Sequence, residues 1–276
     1  MLLKKIIIIV FVLTLGACST FSIFFDKLPY LTVLRFDKMF DLSEAQEQLV
    51  QKKAEELQDW IRQEAAQVTI KRLAHAKQLW QEESFHQASQ HFQDSLEASI
   101  KEFLVAASPG IVSFLLTLDE ANATKYREYN VEKSKDWFEY ASSQESKTKS
   151  RVKQLEKWFG KLNKEQIVRV AEIALLVADE QQIKISNNKH WINLAIKASL
   201  ERNQSALKSW LNDPSIWWQE DYKALREINR QQTSALLAMM IETMTEKQQE
   251  TVVKEIDGWI EELQDIATTT DSGRSS

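Results

Sequence analysis

Hydrophobic and polar positions fall into one short apolar run followed by a long alternation at helical period. Residues 6–15 (Ile6 to Leu15) are apolar apart from Thr14. As a helix they would extend roughly 15 Å, about half a bilayer's hydrocarbon thickness, so they do not span a membrane. Aromatic residues then crowd residues 19–40, divided by Pro29. The stretch after Pro29 predicts a short amphipathic helix, either laid on a membrane or packed on the body. Asp26, Asp37 and Asp41 favour packing, because membrane-surface helices are Lys/Arg-rich. From residue 43 the apolar positions recur every three or four residues: Leu49, Leu57, Trp60, Ile61, Val68, Leu73 and Trp80, then Phe85, Phe92, Leu96, Ile100, Phe103 and Leu104. Ser108-Pro109 predicts a helix start, with Ser as N-cap and Pro in the first turn. Asp213-Pro214 repeats the device and opens a helix running to about residue 243. Residues 119–159 carry only a narrow apolar stripe, and residues 142–150 have no apolar residue. They form either one helix about 60 Å long or two helices joined near 142–148.

Four segments share one signature: Leu42-Ser43-Glu44-Ala45-Gln46, Leu118-Asp119-Glu120-Ala121-Asn122, Leu162-Asn163-Lys164-Glu165-Gln166 and Met244-Thr245-Glu246-Lys247-Gln248. Each is a capping box: Ser43, Asp119, Asn163 or Thr245 accepts from an orphan N–H, and the amide of Gln46, Asn122, Gln166 or Gln248 reaches back. The preceding Leu or Met fixes how the chain approaches the helix. Their uneven spacing excludes strict tandem repeats. Plain capping is enough to explain them.

Composition sharpens the fold class. Only 5 Gly and 3 Pro occur in 276 residues, too few for β-hairpins or Gly-rich phosphate loops. The expected fold is all-α: an elongated multi-helix bundle over residues 43–267, with residues 268–276 unfolded. Lys+Arg is 35 and Asp+Glu 40, a net charge of −5. Such a mildly acidic body excludes a nucleic-acid partner.

The N-terminus changes the picture most. Lys4 and Lys5 precede the apolar run, and Leu15-Gly16-Ala17-Cys18 follows it, ending on the only cysteine of the chain. One thiol permits no intrachain disulfide and no cysteine-based zinc site. Charged start, short apolar core and small residues make residues 1–17 a signal peptide. The last four residues resemble the bacterial lipobox. That resemblance implies cleavage between Ala17 and Cys18 and fatty acylation of Cys18. Acyl chains contribute about 0.8 kcal/mol per buried CH₂ and together hold a protein firmly on a membrane. Residues 18–42 would then be a membrane-proximal segment. Ser19, by analogy with sorting in Gram-negative bacteria, implies the outer membrane, periplasmic side.

Two wider resemblances follow. Cys18, the aromatic stretch, Phe40 to Gln46, Trp60, Leu118-Asp119-Glu120, Lys157-Trp158-Phe159-Gly160-Lys161-Leu162 and Met244 to Gln248 keep an order that resembles the proteobacterial lipoproteins of domain of unknown function 6279. That likeness extends over nearly all of residues 18–267 and carries no agreed activity. Trp60-Ile61-Arg62 departs from it in lacking a His after the Trp. The Leu-Ser/Thr-x-x-Gln signature also resembles the repeated motif of Spy-like periplasmic chaperones and envelope-stress sensors, which implies a helical surface that holds unfolded clients.

No catalytic constellation is visible. His75, His86, His91 and His190 are dispersed. Glu83 and His86 have the spacing of helical di-iron sites, but the required second copy is missing. The expectation is a protein without cofactor, metal or enzymatic activity. It would be a binding module for a protein partner or unfolded client, or an adaptor docking one dedicated envelope partner. Trp217 and Trp218 point about 100° apart on a helix, which leaves one of them as a candidate partner contact.

Overall fold

The computed structural model describes residues 24–140 and 143–268, except for the side chains of 134–140. Cys18, the signal segment and the tail beyond Thr268 lie outside the described residues. Among those described there are eleven α-helices and no strand, an all-α multi-helix fold. Helix α1 (Leu28–Phe40) has Pro29 in its first turn, where the missing N–H has no intrahelical partner to lose. It ends on Asp41 in the left-handed region. Helix α2 (Glu44–Trp60) opens at Ser43 and passes without a break through one π turn (Ile61–Ala65) into α3 (Ala66–Gln81). A tight turn with Glu83 at φ 58° reverses the chain into α4 (Phe85–Leu115). Helices α5 (Glu120–Tyr140), α6 (Gln144–Phe159), α7 (Lys164–Ile173), α8 (Glu180–Leu200) and α9 (Gln204–Asn212) follow. A 3₁₀ turn (Pro214–Trp217) leads to α10 (Glu220–Thr243) and α11 (Glu246–Thr268).

Several expectations change. The stretch after Pro29 packs on the body, as its acidic residues favoured: α1 buries Met39 and Phe40 in the core, which extends the helical body from residue 43 back to Leu28. Ser108-Pro109 is not a helix start: Pro109 lies inside α4. Both ends of α4 are held by tertiary packing, which overrides the local breaker, and the Ser113 hydroxyl donates to the Pro109 carbonyl at 2.8 Å. Asp213 caps only the 3₁₀ turn, through Ser215 N–H at 3.0 Å, and the long helix starts afresh at Glu220. Residues 119–159 form two helices, α5 and α6.

Two cores share one spine. The C-terminal end of α4 contributes Val112 and Phe114 to a first core with α1, α2, α5, α8 and α9. Its N-terminal end contributes Ala88, with Phe85 and Phe92 alongside, to a second core with α3, α6, α7, α10 and α11. At 31 residues α4 is about 46 Å long, enough to serve both. Its most apolar stretch has a mean hydropathy of 1.3, yet only 39% of that stretch is buried. The apolar surplus therefore belongs to something other than the cores.

Candidate apolar binding groove and the capping amides

The four capping boxes do start helices α2, α5, α7 and α11, and they do more: they lock together in two pairs. Gln46 Oε1 accepts from Ser43 N–H at 3.0 Å, which leaves its amide nitrogen free to point outward. That nitrogen donates to Asn122 Oδ1 at 2.9 Å and to the Thr117 carbonyl at 3.2 Å. Asn122 in turn donates to the carbonyls of Phe40 and Asp41, at 2.9 and 3.0 Å, where α1 ends. The second pair repeats this. Gln166 donates to Gln248 Oε1 and to the Thr243 carbonyl, both at 3.0 Å. Gln248 donates back to Gln166 Oε1 at 3.1 Å and to the Lys161 carbonyl at 3.2 Å. Gln248 is one methylene longer than Asn122, which lets its amide return to its partner. All four amides are buried, and Leu118 and Leu162 beside them are buried too. Each pair ties two helix starts to the ends of the helices that precede them. The chain is thus a duplicated corner: α1–α2 and α4–α5 in one half, α6–α7 and α10–α11 in the other. The pairing is structural and presents no reactive group.

The unexplained apolar surface of α4 lines an open groove of about 710 Å³. Leu28, Thr32 and Phe36 of α1 form one wall, Val50, Leu57, Trp60 and Val68 along α2–α3 the second, and Val105, Pro109 and Ile111 of α4 the third. The volume lies within the roughly 300–1,000 Å³ usual for ligand sites. Helix α4 runs antiparallel to α2–α3: Gly110 meets Lys53, Arg72 meets Glu102, and the rings of His75 and His91 pack edge to face at 4.6 Å. At Gly110 the approach is so close that a Cβ would lie 3.0 Å from that of Lys53, so glycine lets the two helices close the groove there. Pro109 has no N–H to give the Val105 carbonyl, so the wall carries an acceptor released from the helix ladder.

The rim is charged and mostly satisfied. Lys53 pairs with Glu56 at 2.6 Å, and the Trp60 indole donates to Glu64 at 3.1 Å. Arg72 grips both oxygens of Glu102, at 2.8 and 2.6 Å; these bonds hold the Glu102 carboxyl below its ordinary range and push Arg72 up. Among the described residues Lys101, exposed at the rim, makes no ion pair or hydrogen bond. Of this α4 lining the hydrophobic pattern picks out only Phe103 and does not foresee the groove. The one signal of an opening was the run Val105-Ala106-Ala107-Ser108-Pro109-Gly110, too small in side chain to fill the space beside it.

Trp217 and Trp218 are both half-buried. Trp217 stacks on Trp210 at 4.9 Å, and Trp218 meets Tyr222 edge on under Arg226. The neighbouring Ile216 is the exposed residue of that turn. The caps, this turn and the groove occupy separate places; the structure does not bring them into one site. Among the described residues no group of three His, Cys, Asp or Glu side chains is arranged to hold a metal ion.

Neither a curated protein nor a solved structure matches the chain. A family model does match, over residues 38–223, a span that takes in α2 to α9 and three of the four capping boxes and stops short of Met244 to Gln248. By that match, over more than half of its length, the chain belongs to DUF6279, a family of unknown function.

Proposed function

We propose that this protein is a lipid-anchored envelope protein, held through Cys18 on the periplasmic side of the outer membrane, and that its helical body is a non-catalytic binding module. One observation carries the reading: an open apolar groove lies beside the segment that leads to the anchor. Gln58, on the helix that forms one wall, donates to the Phe25 carbonyl at 2.5 Å, and Arg62 pairs with Asp26 at 2.6 Å. Phe24 is six residues from Cys18, a reach of at most about 20 Å. A lipid on Cys18 would therefore keep this end of the groove near the bilayer. An apolar opening of this size on a monomer marks a binding surface. Its bounded volume favours one apolar ligand or one partner segment over a broad cradle.

The test uses the mature chain from Ser19 to Ser276, which contains both cores whole. The neutral dye N-phenyl-1-naphthylamine should bind saturably with a rise in fluorescence. Val105→Glu puts a carboxylate into the groove at an exposed position and should weaken binding at least tenfold with the fold intact. No saturable binding, or binding indifferent to this change, would remove the groove from the account. Mass spectrometry of the protein from its native host tests the anchor: Cys18 should be N-terminal and should carry fatty acid.

A second reading, capture of unfolded clients, draws on exposed Val68 and Val105 around the opening. In that case the mature chain suppresses aggregation of a denatured test protein, and Val105→Glu does not.

A further inference from the structure

Resting on that reading of the groove, we propose that its occupant is a single long-chain fatty acid, its carboxylate paired with Lys101 and its chain laid along α4 toward Gly110. The cavity has the polarity of such a molecule. From Lys101 to Gly110 the wall of α4 runs about 14 Å, nine residues at the helical rise. One acyl chain crosses half of a bilayer's hydrocarbon, also about 15 Å. Gly110 and Lys53 approach closely along this wall, and the apolar lining continues past them to Ile111 and Phe114. Past Glu102, which Arg72 holds, α4 carries no charged group from Phe103 to Gly110, and Val105, Ala106 and Pro109 line the groove there.

The rim supplies the charge. Glu56 and Glu102 are neutralised by Lys53 and Arg72, and Glu64 is held by the Trp60 indole. Lys101 is the lining cation left over, and a single carboxylate is its complement. The acyl groups of the chain's own anchor do not answer this description, because a thioether-linked diacylglycerol and an N-acyl amide are both uncharged and would leave Lys101 unanswered.

The experiment titrates palmitate, below its micellar concentration, into the mature chain loaded with N-phenyl-1-naphthylamine, with direct calorimetry of palmitate on the dye-free protein alongside. Palmitate should displace the dye at one equivalent, and hexadecanol at least tenfold less tightly. Lys101→Glu should weaken palmitate at least tenfold and the uncharged dye far less, since only the carboxylate needs the cation. The proposal is overturned if palmitate leaves a groove-bound dye in place, if hexadecanol competes equally well, or if Lys101→Glu changes nothing. It is also overturned if phosphatidylglycerol vesicles or an amphipathic peptide displace the dye and palmitate does not. In each of these cases the dye still reports a working groove, so the broader reading stands or falls separately. Where the dye fails to bind, calorimetry alone decides for palmitate.

Discussion

At the scale of single residues, the most informative side chains are the four capping amides. A helix cap by itself contributes about 1 kcal/mol, and its carbonyl oxygen is all that local capping needs. Here the nitrogen of the same amide is also used, against a turn 76 or 82 residues away. Removing one amide leaves buried partners without a bond, at about 1–3 kcal/mol for each unsatisfied group. Gln166→Leu should therefore cost about 3 kcal/mol in urea unfolding, well above a surface cap. Gln248→Leu should cost about the same, and the double variant about 4–5 kcal/mol, short of the sum by a coupling of about 1–2 kcal/mol. Strict additivity of the two would show that the amides act as independent caps. The boxes themselves were legible in the sequence because capping is local chemistry, with the short polar residue and the amide three positions apart. Their pairing was not, because it depends on two distant turns meeting in space. Thr117 before Leu118 and Thr243 before Met244 were the only written trace of it.

At the scale of elements, periodicity and the capping boxes located the helices of the N-terminal half and the last two, passed over α8 and α9, and misjudged the breakers. Pro109 is a start signal by its local chemistry, yet α4 continues through it because both flanks are packed. The ring costs the helix a hydrogen bond and backbone freedom, up to about 3 kcal/mol in an ordinary interior. Part is offset by the stiffer unfolded chain. Pro109→Ala should thus raise stability by about 1–2 kcal/mol. It should also weaken dye binding, because the restored N–H engages the Val105 carbonyl and tightens the groove wall; unchanged binding would separate the proline from function. A second element-scale junction joins α6 to α8. Burial pushes the Glu180 carboxyl up, but the bonds from Lys184 and Lys147 outweigh it and hold the group below its usual range. A carboxylate held low in the folded chain stabilises fully above the unfolded value near about 4.3 and loses that contribution as pH falls through its lower folded value. Stability should therefore decline as pH falls below about 4. Glu180→Gln should start lower at neutral pH and fall less steeply; identical slopes would assign the acid loss to other carboxylates.

At the scale of the whole molecule, the question is whether two cores make one cooperative unit. Neither core is closed without α4, which delivers Phe114 to one and Ala88 to the other. The second tie is the unbroken α2–α3 helix, which gives Val50 to the first core and Leu73 and Trp80 to the second, where α11 packs along α3 with Lys77 paired to Asp257 at 2.6 Å. An exposed pair such as this adds little energy, so the coupling rests on the buried faces. Leu207 is fully buried in the first core and Met240 in the second. Truncating either to Ala should cost about 3 kcal/mol, from lost burial and the cavity left behind. If α4 transmits the loss, each variant should shift the entire urea transition, and helicity by circular dichroism should fall together with tryptophan fluorescence. Trp191 and Trp210 report the first core, while Trp80 and Trp158 report the second. A Leu207→Ala variant that unfolds in two steps, with about half of the helicity surviving the first, would show that α4 is a linker between two separate bundles. In that event the groove, walled by α1 and α2 against α4, would be lost in the first step, and dye binding would disappear before the second core melts.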